Sequence, residues 1–493
     1  MDYFNITHLF YKSCRAFPDR FAIVEENNSI TYKKLEADVN NTISYFQKKG
    51  IKKGDRILVF VGMGIDLYRI VLAIFTMGAV AVFVDEWVSI QRLSLCCLMA
   101  DCKAVIAPLQ YRIAGLFVKG IRSIPIFLSH NTMILNFDQH HIENTISSDP
   151  ALITFTTGST GIPKAVERSH AFLKSQFDEL TPLIRGTFIM TTLPIVLLLN
   201  LGLGITSFIA KFNTKNSAGF DAHKILSLIN KYSIDCIITS PFYLLKMAEC
   251  KHRTSNLKYI ISGGAAIFSS DAEKIVHVFS NALFIVVYGS TEAEPISHCY
   301  ADELINSKNN FGVQVGKPVQ SIQLKIIPDD VPPQVSEDDL DKLELSQGCI
   351  GEIIVCGDTV NKSYLHNHQA IVENKIVTDK NVWHRTGDSG YIDISGNLFL
   401  TGRVSQIIHH NNKTYYPFVV ENYLKNINGV KFGTLLLVNN TLLLALCVTD
   451  SFNIDSVSGF EYDEIRYLDS FPFDPRHHSK IDYLKLTTLL QDS

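Results

Sequence analysis

No two of the ten cysteines stand in a CxxC spacing, and only Cys96 and Cys97 are adjacent. That absence argues against both a zinc site and a disulfide scaffold, and thiols scattered from Cys14 to Cys447 suit a reducing cytosol. Charge is also sparse: Asp, Glu, Lys and Arg together make 19% of the chain, and the net charge is −4. Such a balance gives no general reason to bind nucleic acid or an anionic membrane, so any basic site must be local. Residues 1–20 lack the basic-then-apolar layout of a secretory signal, and a cytoplasmic location is expected. The GxxxxGK[ST] phosphate loop, internal repeats and low-complexity tracts are missing as well.

Long hydrophobic runs are few. Residues 186–210 carry no charge and are flanked by Arg185 and Lys211, a length that could span a bilayer. Pro194, Asn200, Gly202 and Gly204 interrupt the run, and residues 70–84, the other apolar stretch, are too short to cross. A buried strand or pocket wall is the better reading, and a transporter would rest on this run alone.

What is present is a chain of 493 residues, too long for one compact core, so two or more domains are expected. The first segment reads as strand, turn, strand, helix and a further strand opened by Gly54-Asp55-Arg56. Short β-rich runs at 151–157, 236–239, 258–261 and 282–287 then end in polar or glycine loops: TGSTG, SPF, SGG and YGSTE. This pattern predicts an α/β protein whose ligands gather at the carboxyl ends of strands. Residues 328–341, acidic and proline-containing, read as a solvated surface loop. After Gly402-Arg403 the pattern becomes α+β, which divides the chain into residues 1–403 and a small domain of residues 404–493.

The densest chemistry lies in Thr156-Thr157-Gly158-Ser159-Thr160-Gly161-Ile162-Pro163-Lys164. Such residues pack a core poorly, but they expose backbone N–H groups and hydroxyls suited to phosphate oxygens. Lys164 adds a point charge for the same oxygens. TGSTG alone would be an ordinary polar hairpin. The following Pro-Lys and His170 weigh against that reading.

This segment resembles the phosphate-loop motif of the acyl-adenylate-forming superfamily, which includes acyl-CoA synthetases, peptide synthetase adenylation domains and luciferases. Further segments follow in that family's order. Gly263, Gly264 and Ala265 resemble the loop along the adenine, where paired glycines let backbone approach a flat ring. Tyr288-Gly289-Ser290-Thr291-Glu292 is similar to the second nucleotide motif. The resemblance implies that Tyr288 stacks on adenine, Thr291 faces the α-phosphate and Glu292 holds Mg²⁺. Asp388 resembles the carboxylate that accepts the ribose hydroxyls, and Arg403 the residue that reaches ribose or phosphate. Asp474-Pro475-Arg476-His477-His478-Ser479-Lys480 resembles the segment with the catalytic lysine, so Lys480 is expected to stabilise charge on the α-phosphate as pyrophosphate leaves. Taken alone, Glu292 would be a solvated loop residue, Asp388 a turn cap and Lys480 a solvated lysine. Adjacent His477 and His478 point in different directions, so a metal reading is rejected.

The fold implied is a large domain of layered α/β subdomains and a β-barrel-like subdomain, with a small mobile α+β lid. The implied activity consumes ATP with Mg²⁺, joins a carboxylic acid to AMP and passes the acyl group to coenzyme A or a carrier-protein thiol. Departures from the family's pattern sharpen this expectation. The run from Leu193 to Gly202 holds no aspartate to pair with a substrate ammonium, which disfavours an amino acid and favours an aliphatic or aromatic acyl group. That apolar run and the Arg476-His477-His478-Ser479-Lys480 ending also resemble the β-lactone synthetases, whose 3-hydroxy acid closes on its own carboxyl. Val84 stands where the family usually has proline, and Ser405 where it has a charged hinge residue. Asn412 replaces the glycine that lets a pantetheine arm approach, which weakens the case for coenzyme A. A nucleotide-binding pseudoenzyme is the rival of another class, and intact Lys164, Glu292, Asp388 and Lys480 argue against it.

Overall fold

A computed structural model describes residues 2–85, 88–131, 141–156, 162–211, 219–250, 254, 256–307, 311–474 and 479–491. Six strands form one sheet in the order Ile126–Ser129, Ala104–Ala107, Arg56–Val59, Val80–Phe83, Pro150–Thr156 and Lys164–Ser169. All its pairs are parallel except the last. A fourteen-stranded sheet has a mainly parallel half that includes Phe188–Thr191, Cys236–Thr239, Tyr259–Gly263 and Leu283–Ser290. Its antiparallel half includes Ala293–Tyr300, Val313–Pro318, Val382–Ile392 and Leu398–Arg403. The expected α/β layering is therefore present.

Apolar alternation explains how the layers close. Ile57 and Val59 face a core shared with Ile23 of the large sheet and with Phe10, Tyr32, Phe46 and Phe75 of intervening helices. Leu58, between them in sequence, turns to the opposite face with Cys96, Cys97 and Ile121. Parallel strands need cover on both faces, and the helices supply it. Within the antiparallel half, the strands Ala293–Tyr300 and Val313–Pro318 join at only two residue pairs, one of them His298 with Lys317. Beside it, Gly316 has φ +82°, and a Cβ there would fall 1.9 Å from the His298 carbonyl oxygen. Only glycine fits that junction.

Residues 186–210 fold as the strand Phe188–Thr191, the helix Pro194–Leu203 and the strand Thr206–Ile209. Pro194 begins that helix and left-handed Gly204 ends it. Asn200 is fully buried and donates to the Ser207 hydroxyl at 3.1 Å. No described helix is long and apolar enough to cross a membrane.

The solvated loop expected at 328–341 needs correction, because the helix Glu337–Leu343 begins within it. The Ser336 hydroxyl accepts from the Asp339 N–H at 3.1 Å, a helix cap that the acidic first turn reinforces. Leu340 is buried, and Glu337 accepts from the Trp383 indole at 3.1 Å. Charge density there reflects a capped, anchored helix.

Beyond Arg403 the strands no longer join the large sheet. A hairpin of Ile408–His410 and Lys413–Tyr415 leads to the helix Pro417–Lys425, then to a three-stranded sheet and the terminal helix Tyr483–Gln491. One apolar cluster centres on Leu424 and Leu444, another on Leu436 and Leu486. The Pro417–Lys425 helix docks this region onto the rest: Lys425 pairs with Asp271 at 2.5 Å, and Asn422 accepts from Ser269 at 3.2 Å.

Candidate active site

The strand Leu283–Ser290 and the strand Ala293–Tyr300 form a hairpin whose two-residue turn is Thr291-Glu292. The Ser290 hydroxyl accepts from the Ala293 N–H at 3.2 Å and steadies the turn. The Glu292 carboxylate accepts from the Thr156 hydroxyl at 3.1 Å and from the Tyr364 hydroxyl at 3.4 Å. Thr156 is the last residue of its strand, so the hairpin turn meets the mouth of the glycine-rich loop. Thr157, Gly158, Ser159, Thr160 and Gly161 themselves lie outside the described residues.

Lys164 resumes the chain beyond that loop, and its ammonium donates to the Asn374 side-chain oxygen at 2.8 Å. Burial pulls its pKa down, and the nearby Glu292 carboxylate pulls it back up. Arg168, in the same strand, donates to the Thr291 carbonyl at 2.8 Å, which ties the strand to the turn.

Gly263 ends its strand in register with Val287. A Cβ on Gly263 would lie 2.7 Å from the Val287 carbonyl oxygen, and one on Gly289 would lie 2.8 Å from that of Ala293. Gly264 has φ +89° and turns the chain toward Ala265. Backbone here lies close against backbone.

Asp388 faces Arg403 across paired strands. Tyr288 donates to one Asp388 oxygen at 2.6 Å, while the Arg403 Nε contacts the other at 3.0 Å. Arg403 also donates to the Thr386 carbonyl at 2.9 Å. Burial pushes the Tyr288 phenol far above its usual pKa, so it stays a donor to the carboxylate.

Lys480 lies near the end of the chain, in the region beyond Arg403. It is exposed, and its carbonyl accepts from the Asp474 N–H at 2.9 Å beside an antiparallel bridge between Phe473 and Ile481. His477 and His478 lie outside the described residues.

Motif reasoning missed the layer beneath Glu292. Lys375 is completely buried, donates to the Asn361 carbonyl and lies 5.1 Å from the centre of the Tyr364 ring. The Asn361 N–H in turn donates to the Glu292 carbonyl at 2.6 Å. Burial lowers the Lys375 pKa to about 7, with Glu292 opposing the shift and Lys164 adding to it. These residues come from a stretch without a motif. The available signal was the lysine of Asn374-Lys375-Ile376, charged at the start of a strand.

The donor set suits a magnesium–triphosphate ligand: one carboxylate, hydroxyls and a lysine, gathered where the strand Pro150–Thr156 ends opposite Lys164. Among the described residues no group of three or more His, Cys, Asp or Glu side chains could form a cage for a metal ion. A hard cation carried in by phosphates needs only a carboxylate such as Glu292.

Fold and site together define an adenylate-forming ligase. Residues 10–365 match the family model described as AMP-binding enzyme, and the chain belongs to that family. It is 26% identical over 428 residues to the olefin beta-lactone synthetase of Stenotrophomonas maltophilia, covering 82% of this chain and 77% of that one. It is 25% identical over 449 residues to the 2-succinylbenzoate–CoA ligase of Oceanobacillus iheyensis, covering 86% and 84%. ATP-bound MatB of Rhodopseudomonas palustris superposes with a TM-score of 0.83 over 99% of each chain, at 18% identity, a likeness of fold.

Proposed function

We propose that the protein activates a hydrophobic carboxylic acid, a fatty acid or a close relative of one, by converting it to its acyl-AMP. The observation that carries this reading is the hydrogen-bonded group Thr156–Glu292–Tyr364 beside Lys164, with the pinned pair Asp388–Arg403 at the same hairpin. Asp388 would receive the ribose hydroxyls, Tyr288 would lie along the base, and Thr156, Lys164 and Thr291 would receive phosphate oxygens. Magnesium, held by Glu292 and the phosphates, would supply neutralising charge. The carboxylate oxygen of the acid attacks the α-phosphorus, the bond to the β-phosphate bridging oxygen breaks, and pyrophosphate leaves with the electron pair.

Apolar walls support the substrate class. Val196 of the Pro194–Leu203 helix packs in one apolar cluster with Ile189, Ile238, Ile261 and Ile285. No acid stands in that helix to receive an ammonium, and an unpaired buried charge is costly. Residues 404–493 act as a lid that brings Lys480 to the α-phosphate and then withdraws it for acyl transfer.

The acceptor is the second question. Asn411 and Asn412 form the hairpin turn with φ +49° and +59°, so asparagine holds the left-handed conformation that glycine favours. The backbone path survives, but the Asn412 side chain is added where a pantetheine arm would pass. A thiol of coenzyme A or of a carrier protein is the first reading, and the 3-hydroxyl of the substrate is the second. The asparagines and the likeness to the olefin beta-lactone synthetase favour that second reading.

Exchange of labelled pyrophosphate into ATP, with a panel of alkanoic and 3-hydroxyalkanoic acids, tests the first half-reaction. Acid-dependent exchange is expected, and Lys480→Ala should lower it about a hundredfold or more while ATP still binds. Binding of ATP without exchange for any acid would replace the enzyme by a nucleotide-binding pseudoenzyme. Product masses with and without coenzyme A separate the two acceptors.

A further inference from the structure

The helix Ile90–Ala100 buries Cys96, Cys97 and Ala100 on the outer face of the six-stranded sheet but leaves Leu95 and Leu98 half exposed. The helix Leu109–Gly115 and its following turn are more unusual. Leu109, Ile113, Leu116 and Phe117 recur at helical spacing, and they are 62%, 53%, 49% and 87% exposed. An apolar stripe of that period normally faces a core. Here it faces solvent.

The two helices share one surface through the turn Lys119–Arg122. The Gly120 N–H donates to the Ser94 hydroxyl at 2.9 Å, and a Cβ on Gly115 would meet the Ile121 side chain at 2.7 Å. Leu95 and Leu98 therefore lie across a single turn of chain from Leu116 and Phe117. Contiguous apolar surface of this kind marks a contact with another phase or partner.

Charge identifies which. Lys103, Lys119 and Arg122 are exposed and make no ion pair among the described residues. Between residues 90 and 122 the one acidic side chain is Asp101, although the chain as a whole is negative. We propose that this face seats the protein on an anionic lipid bilayer, with Phe117 and the leucines entering the headgroup boundary and the basic rim meeting lipid phosphates. A second copy of this chain fits less well, because twofold pairing of the patch would bring its basic rim against itself. The same surface lies close to the chemistry: Arg92, in the Ile90–Ala100 helix, donates to the Thr156 carbonyl at 3.3 Å. The proposal holds whichever acid the site activates.

Flotation of the full chain with vesicles of phosphatidylcholine, alone or mixed with phosphatidylglycerol, tests it. Partition with the mixed vesicles is expected, weakening as salt rises. The triple variant Leu109→Gln, Ile113→Gln, Phe117→Gln should partition about tenfold or more weakly at an unchanged thermal midpoint. Lys119→Glu with Arg122→Glu should remove the preference for phosphatidylglycerol. No partition of the intact protein, or partition that neither variant alters, would overturn the proposal. A lipid-free dimer that sedimentation detects and the triple variant dissolves would assign the face to a second copy instead.

Discussion

The two carboxylates of the site are held in different ways. Asp388 has a partner on each oxygen, Tyr288 at 2.6 Å and Arg403 at 3.0 Å. Glu292 accepts on one oxygen from two neutral hydroxyls, at 3.1 and 3.4 Å. An ion pair with Arg403 and a short bond from Tyr288 fix Asp388 in advance, while the longer bonds from two hydroxyls hold Glu292 more loosely. Loose neutral donors are what a carboxylate can surrender to a cation. On the function proposed above, the contrast means that nucleoside recognition is prepared in the framework and charge neutralisation is left to what arrives with the phosphates.

Breaking the loosely held end should cost most. Glu292→Gln should lower the rate of acid-dependent exchange about 10²–10³-fold, with ATP affinity at low magnesium nearly unchanged. An unchanged rate would remove Glu292 from the chemistry. Breaking the fixed end should act on binding: Asp388→Asn should raise the KM for ATP about 10–100-fold with a smaller effect on kcat. Equal loss in both parameters would show that the carboxylate acts in the transition state as well.

Gly263→Ala sharpens the comparison by disturbing packing rather than charge. Its new methyl would face the Val287 carbonyl oxygen at 2.7 Å, and denaturant unfolding should report a loss of about 1–3 kcal/mol.

Lys375 gives the smallest and most specific effect. Its pKa is about 7 in the folded chain, against an ordinary value of 10.5. Between those values the unfolded chain binds more protons, so stability rises with pH from about 7 toward 10.5. Below pH 7 both states carry the proton, and the full penalty of the buried charge is present. Calorimetry should find that the thermal midpoint rises between pH 7 and 9 by about 1–3 °C more in the native protein than in Lys375→Met. The same slope in both would place the titration elsewhere.

Much of the site was legible because adenylate chemistry needs residue types that no core would choose. Lys164, the hairpin turn at Glu292 and the glycines at 263 and 289 all stand at strand ends, and at the two glycines backbone comes close to backbone. Asp388 and Arg403 were legible for the same reason, sitting on neighbouring strands that the sequence separates by fourteen intervening residues. The layer of Asn361, Tyr364, Asn374 and Lys375 was not legible, because its members act on Glu292 through tertiary contacts with no fixed spacing. Charge density misled at residues 328–341, where a Ser336 cap and the buried Leu340 and Glu337 make a helix from a stretch that composition alone assigns to solvent. The pairing of the two sheets around Phe10 and Phe75 was likewise beyond a single sequence, since it depends on which faces of distant strands meet.

The central claim is that a carboxylate oxygen of the acid becomes bonded to the α-phosphorus of ATP. Acid labelled with heavy oxygen in its carboxyl group tests this directly, with mass spectrometry of the AMP released after acyl transfer. The account predicts a single labelled oxygen in AMP and none in pyrophosphate. Release of AMP that carries no label, or label found in a phosphate product instead, would contradict it.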